Sequence, residues 1–268
     1  MMAIHHLVPE LLTREVRVTV IGAGGSGSQM LMGLAQLHTA MLALGHPGGL
    51  DVTVVDADQV SEANVGRQMF YPSDVGLSKA SVLVNRINMA MGTGWKAQMR
   101  RLTASESLRT DLAIGCVDNR LARKAILESV GRAGGGYWLD LGNRLHDGQV
   151  ILGVVPARWA KPDANRLPHA GDLLPEIVDG SQEAEDDTPS CSLADALDKQ
   201  SLFVNRGVSL YALNLLWELF RYGQITYHGV FVNLKNARTT PLPVDPAAWS
   251  RFGYPKPARS RKRKGQGR

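Results

Sequence analysis

The residue types best suited to chemistry crowd into one stretch, DADQVSEANVGRQMFYPSDVGLSK, residues 56–79. It holds two carboxylates, Asp56 and Asp58, with Asn64, Arg67 and Lys79. An acid at the end of a strand accepts hydrogen bonds from ribose hydroxyls. An arginine and a lysine fixed nearby stabilise charge that develops on phosphate oxygens. A site that only holds a dinucleotide needs glycines and one acid, so the added cations point to a nucleotide whose phosphates react. The glycines lie upstream in Gly22-Ala-Gly-Gly-Ser-Gly27. Gly22, Gly24, Gly25 and Gly27 offer a tight turn, close backbone approach and amide donors at a helix N-terminus, where phosphate is favoured. Taken alone, they read equally as an ordinary turn. A further acid, Asp118, follows an apolar run in Cys-Val-Asp-Asn. It is placed either to hold Mg²⁺ together with a triphosphate or to cap the helix that follows.

Positioning these groups requires strands that end where they begin. The β-branched run Val16 to Ile21 leads into the glycines, and an apolar helix is expected from Ser28 to Leu44. A second strand, Asp51 to Val55, delivers Asp56, with a small insertion expected around His46 to Gly49. Ser78 is a helix cap, and Lys79 sits in that helix's first turn, where a cation opposes the dipole unless an anion shares the site. A strand from Leu112 to Val117 delivers Asp118, followed by a helix from Asn119 to Val130. Beyond it, Tyr137 to Val155 reads as a hairpin turning at His146-Asp147-Gly148. A long polar crossover spans about 156–190, then a helix from Arg206 to Arg221 carries apolar residues on several faces, then the strand HGVFVNLKN and a Pro-rich exit. The expected fold is α/β: a Rossmann-like nucleotide-binding half with a mainly parallel sheet, continuing into a smaller, partly antiparallel half.

Composition bounds the function. The 268 residues, 44% apolar, suffice for an ample core. No run of about eighteen apolar residues occurs and the N-terminal stretch lacks a signal pattern, so a soluble, cytoplasmic protein without membrane contact is expected. Two cysteines, Cys116 and Cys191, cannot build a four-thiolate zinc site, and no zinc is expected. The net charge of +5 belongs to the last fourteen residues, PKPARSRKRKGQGR, which are basic and free of acids. Such a segment is a disordered tail or a nucleic-acid contact. The stretch from Gly171 to Asp187 is the reverse, acidic without a base, and reads as a mobile loop.

The ordered set Gly-Ala-Gly-Gly-Ser-Gly, Asp-x-Asp-x-Val-Ser-x-x-Asn-x-x-Arg-Gln, Gly-x-x-Lys and Cys-x-Asp-Asn resembles the ThiF/MoeB/HesA enzymes and the adenylation domain of ubiquitin-activating enzymes. The block PSCSLADALDKQSLFVN is most similar to the ThiF-type proteins of PRTRC plasmid systems. The resemblance implies ATP-dependent adenylation of the C-terminal glycine of a ubiquitin-like or sulfur-carrier protein. Asp56 would bind ribose, Asn64, Arg67 and Lys79 the phosphates, and Asp118 magnesium. It also implies a homodimer. The expected domain spans about 1–245, with nucleotide-binding residues 16–135, carrier-binding residues 136–245 and a basic tail, 246–268. The family's paired Cys-x-x-Cys motifs are missing, and its upstream arginine has two candidates, Arg14 and Arg17. Competing readings are activation of a carboxylate on tRNA, a NAD-dependent oxidoreductase, and a non-catalytic plasmid-maintenance adaptor.

Cys191 stands directly before Ser192-Leu-Ala-Asp195, a capping-box pattern that would put its sulfur at a helix N-terminus and lower its pKa. A thiolate there would take the acyl group as a thioester; otherwise Cys191 is a packing residue. Cys116, within the strand before Asp118, is expected in the core.

Overall fold

A computed structural model of the chain describes residues 3–163, 166–182, 197–198 and 200–255. After a two-residue strand β1 (His5–His6), the run VRVTVI forms β2 (Val16–Ile21), with Val16, Val18 and Val20 buried. Helix α1 (Gly25–Ala43) begins inside the glycines, three residues earlier than the apolar pattern indicates, because glycines carry no hydrophobic signal. Then come β3 (Leu50–Val55), α2 (Lys79–Met91), β4 (Lys96–Gln98), β5 (Leu112–Gly115) and α3 (Arg120–Arg132). The hairpin follows as β6 (Gly135–Asn143) and β7 (Asp147–Pro156). After a short helix α4 (Ala170–Leu173), the long helix α5 (Val204–Tyr222) leads to β8 (Gln224–Ile225), β9 (Tyr227–Asn233), β10 (Arg238–Pro243) and a final turn, α6 (Pro246–Trp249).

Among the described residues the main sheet has eight strands in the order β10-β9-β7-β6-β5-β2-β3-β4. Pairing is parallel from β4 through β6 and antiparallel from β6 to β10, so the mixed sheet expected from sequence is observed. From β2 the chain runs outward to β3 and β4, then returns to β5 on the other side. The order reverses between β2 and β5, and in open α/β sheets such a reversal opens a crevice at the carboxyl ends of the strands. Residues of both halves share one apolar core.

Helix α5 lies between α1 and the hairpin strands β6 and β7. That placement buries Val208, Ala212, Leu215, Leu216 and Leu219 within one chain, while Leu210 on the outer face stays exposed. Two expectations are corrected. The crossover is not irregular throughout: Leu167, Ala170 and Leu173 are buried at helical spacing, and Arg166 holds Asp172 through two hydrogen bonds of 2.6 and 2.7 Å. Nor does packing stop at 245. The Pro-rich exit is an edge strand followed by α6, whose Trp249 is buried and donates to His228 Nε2 at 2.8 Å. Proline is tolerated in β10 because only one side of an edge strand must supply amides.

Candidate active site

Three strand ends build the crevice. After β2 the chain turns at Gly22, with φ of +92°, a left-handed conformation that favours glycine. A Cβ at Gly22 would also lie 2.6 Å from the Cys116 carbonyl oxygen, and one at Gly27 would lie 2.0 Å from the Gly22 carbonyl oxygen. Gly25 is likewise confined, by the Asn205 side chain. Gly24 is different: nothing approaches its hypothetical Cβ within 3.8 Å, so no protein group explains the missing side chain there. Gly24 is also the N-cap of α1 and offers no side chain to the first amides of that helix. Those amides have no partner within the helix, which leaves donors at the helix start free to meet an anion.

Asp56, directly after β3, reaches across to this loop. Its Oδ2 accepts the Ala23 amide at 2.6 Å and its Oδ1 accepts the Asp58 amide at 2.7 Å. Burial raises its pKa, and these two amides act against the rise. Each carboxylate oxygen keeps a lone pair for a further donor such as a ribose hydroxyl.

Lys79 occupies the first turn of α2 and is nearly buried; its Nζ pairs with Asp58 Oδ2 at 3.1 Å. The anion required beside a cation at a helix N-terminus is therefore Asp58, and Ser78 caps the helix as its position indicates. Asn64 is buried and partly committed, since its Oδ1 accepts the Ser61 amide at 2.9 Å. Its Nδ2 remains as the donor for a ligand. Arg67 donates through Nη1 to Gln200 Oε1 at 2.8 Å. Burial lowers the Arg67 pKa, and the Asp118 carboxylate opposes that shift, which puts the two charges within each other's field. Arg67 Nε and the neighbouring Gln68 Oε1 are buried without a partner among the described residues. A buried polar atom without a partner is costly, and Gln68 Oε1 lies 3.8 Å from where a Cβ of Gly24 would stand.

Asp118 follows β5 by three residues and is not the cap of α3. That role belongs to Asn119, whose side chain accepts the Ala122 amide at 2.7 Å. The Asp118 carboxylate accepts no hydrogen bond among the described residues, while its carbonyl is held by Arg123 Nη1 at 3.3 Å. Arg123 in turn pairs with fully buried Asp140 at 2.9 Å. The structure thus gathers Asp56, Asp58, Arg67, Lys79 and Asp118 with the glycine loop at one edge of the sheet. Cys116 packs against the core, and burial, reinforced by Asp140, pushes its thiol well above the usual range. Cys191 and Ser192 to Asp195 lie outside the described residues, as do the acidic residues 183–187 and the basic residues 256–268. Arg14 and Arg17 both clasp Asp111 at the amino end of β5, the edge opposite the glycine loop. Sequence patterns do not single out Gln68, Asn143, Gln200 or Asn205 as site residues. Only Gln68, inside the Arg-Gln pair, and Gln200 and Asn205, inside the block ending KQSLFVN, fall within stretches that carry the family resemblance.

The family model described as ThiF family matches residues 10–140, the span that carries every site residue expected from sequence except Cys191. Residues 10–140 belong to the ThiF family. The chain is 30% identical over 133 residues to the adenylyltransferase and sulfurtransferase UBA4 of Yarrowia lipolytica (strain CLIB 122 / E 150). The match covers 45% of this chain and 31% of that protein, so the chain spans about a third of its curated relative. Among solved structures, selenomethionine PaaA superposes with a TM-score of 0.55 at 12% identity, covering 85% of this chain and 64% of PaaA, and shares the fold. The E. coli tRNA N6-threonylcarbamoyladenosine dehydratase TcdA, solved with ATP, aligns at 23% identity and a TM-score of 0.34, covering 43% of this chain and 45% of its own. No helix among the described residues is long and apolar enough to cross a membrane.

Proposed function

We propose that the chain activates a carboxylate with ATP by adenylation, and that the carboxylate is the C-terminal glycine of a ubiquitin-like or sulfur-carrier protein. The observation that carries this reading is the meeting, at the switch point of a ThiF-family sheet, of an uncapped helix start at Gly24, Asp56 across from it, and Arg67 in the field of Asp118. Asp56 would take the ribose hydroxyls and the α1 amides the phosphates. A carboxylate oxygen of the carrier attacks the α-phosphorus, forming an O–P bond while the bond to pyrophosphate breaks; the products are an acyl adenylate and pyrophosphate. Negative charge grows on the phosphoryl oxygens and on the leaving group. Arg67, Lys79 and Asn64 Nδ2 are the donors available to meet it, held in place before the reaction begins.

Mg²⁺ fits through Asp118, an uncommitted carboxylate beside the phosphate region. No group of three or more acidic, His or Cys side chains among the described residues would hold a metal unaided, which agrees with an ion bound by one carboxylate and the triphosphate. Bound there, Mg²⁺ would neutralise charge on the departing pyrophosphate. The name of the relative UBA4, an adenylyltransferase, supports the same chemistry. Transfer of the acyl group from the adenylate to Cys191, with AMP leaving, would extend the reaction, and a homodimer would be its working form. Analysis of the nucleotide products tests the reading. Given a carrier ending in a glycine pair, the protein should convert ATP to pyrophosphate and carrier-bound AMP, with free AMP released as a thiol or water takes the acyl group. Release of ADP, or binding of NADP without ATP, would overturn it.

A further inference from the structure

A chain of side-chain amides connects helix α5 to the glycine loop and ends on Arg67. Asn205, buried in the first turn of α5, stands at its centre. Its Oδ1 accepts from Ser26 Oγ at 3.0 Å and from Asn143 Nδ2 at 2.7 Å. Its Nδ2 donates to Gln200 Oε1 at 2.7 Å, and the same Gln200 oxygen accepts Arg67 Nη1 at 2.8 Å. Ser26 is held a second time, because Ser209, one turn further along α5, donates to its carbonyl at 3.1 Å. The direction of the relay is determined throughout. Arg67 only donates, so Gln200 must turn its oxygen toward it; that oxygen then requires a donor from Asn205, which leaves Asn205 Oδ1 facing Ser26 and Asn143. All four bonds of the relay form in this one arrangement and are lost in the flipped one, and a connected, largely buried network is stiff for that reason.

The consequence concerns the arginine. Arg67 is the end of a long, flexible side chain whose Nε has no partner among the described residues, so its Nη1 bond to Gln200 is what orients the guanidinium. We propose that Gln200 is a positioning residue for Arg67. It sets the guanidinium beside the glycine loop, with Asn205 tying that position to α5 through Gln200 and to the end of β6 through Asn143. The helix and hairpin of the second half thereby determine the placement of a cation that the first half supplies. This rests on the proposed ATP reading, since it gives Arg67 a phosphate to meet.

A double-mutant cycle on Mg·ATP affinity by calorimetry tests the inference. Gln200→Met keeps the length and bulk of the side chain but removes the acceptor. Because Gln200 is not fully buried, the variant should melt close to wild type. It should bind ATP more weakly by roughly tenfold or more, the scale of one hydrogen bond to a charged group. In an Arg67→Ala background the same substitution should have no further effect, because the group it positions is gone. A Gln200→Met protein that binds ATP like wild type, or whose loss appears in full on top of Arg67→Ala, would contradict the positioning role. Wild-type protein that fails to bind ATP would overturn the ATP reading, and this inference with it.

Discussion

Replacing Lys79 with Met separates the two roles that its position allows. The substitution keeps an unbranched stem in the first turn of α2 and removes the charge. The pair it breaks, Lys79 Nζ to Asp58 Oδ2 at 3.1 Å, is half in water: the lysine side chain is 11% exposed and the aspartate 57%. A pair so solvated is worth at most about 1 kcal/mol. Removing a cation from a helix N-terminus returns a few tenths of that, roughly 0.3 kcal/mol or more. The net cost in stability is therefore below about 1 kcal/mol, or roughly 2–4 °C in melting temperature for a domain of this size. If Lys79 meets charge on the phosphates, the loss in rate is much larger, roughly 10²-fold or about 2.7 kcal/mol. Calorimetric melting and pyrophosphate exchange on the same sample measure both. A fully folded Lys79→Met protein with wild-type exchange would mean that Lys79 serves only to balance Asp58. A destabilisation of several kcal/mol would mean that the ion pair is structural after all.

Acid should loosen the C-terminal clasp. Burial lowers the pKa of His228 to about 4 from an ordinary 6.5, while its Nδ1 donates to Leu152 O at 2.7 Å and its Nε2 accepts Trp249. The unfolded chain thus binds a proton that the folded one refuses. Stability should therefore fall as pH drops from about 6.5 toward 4, by about 1.4 kcal/mol for each pH unit within that window. His169, also lowered to about 4, acts in the same direction. His228→Gln should flatten part of that slope in urea titrations at several pH values, and an unchanged slope would refute the assignment. Arg123→Ala strands fully buried Asp140, so it should cost about 3–5 kcal/mol in urea denaturation; a cost below about 1 kcal/mol would show that Asp140 is neutral or solvated. Cys116, with its thiol raised by burial, should resist iodoacetamide in the native protein. Mass spectrometry that finds it alkylated before unfolding would contradict its packing against the core.

The first half of the fold was legible because Gly22, Asp56 and Asp118 each stand within three residues of the end of an apolar strand in the sequence. Parallel pairing carries the ends of β2, β3 and β5 to one edge, so Gly22, Asp56 and Asp118 meet without any further signal. What failed was whatever depends on contacts between remote residues. Ser26 and Asn205 lie 179 positions apart and Arg67 and Gln200 lie 133 apart, and no local spacing announces either pair. Asn205 falls just before the helix expected from Arg206, so the sequence pattern placed it on no face of that helix. Strand β10 was hidden by Pro241 and Pro243, which argue against a central strand but not against an edge. Asn64 carried its own local signal: three residues after Ser61, it closes a turn with its side chain, which leaves half of its amide for a ligand.

The central claim is adenylation of a C-terminal glycine, and pyrophosphate exchange measures that step directly. Labelled pyrophosphate should enter ATP only when the protein is given a carrier with an intact glycine terminus. Arg67→Ala and Asp118→Ala should each lower the rate by roughly 10²-fold, the scale of losing one transition-state donor or metal ligand. Exchange that needs no carrier, or that persists at the wild-type rate in both variants, would contradict the account.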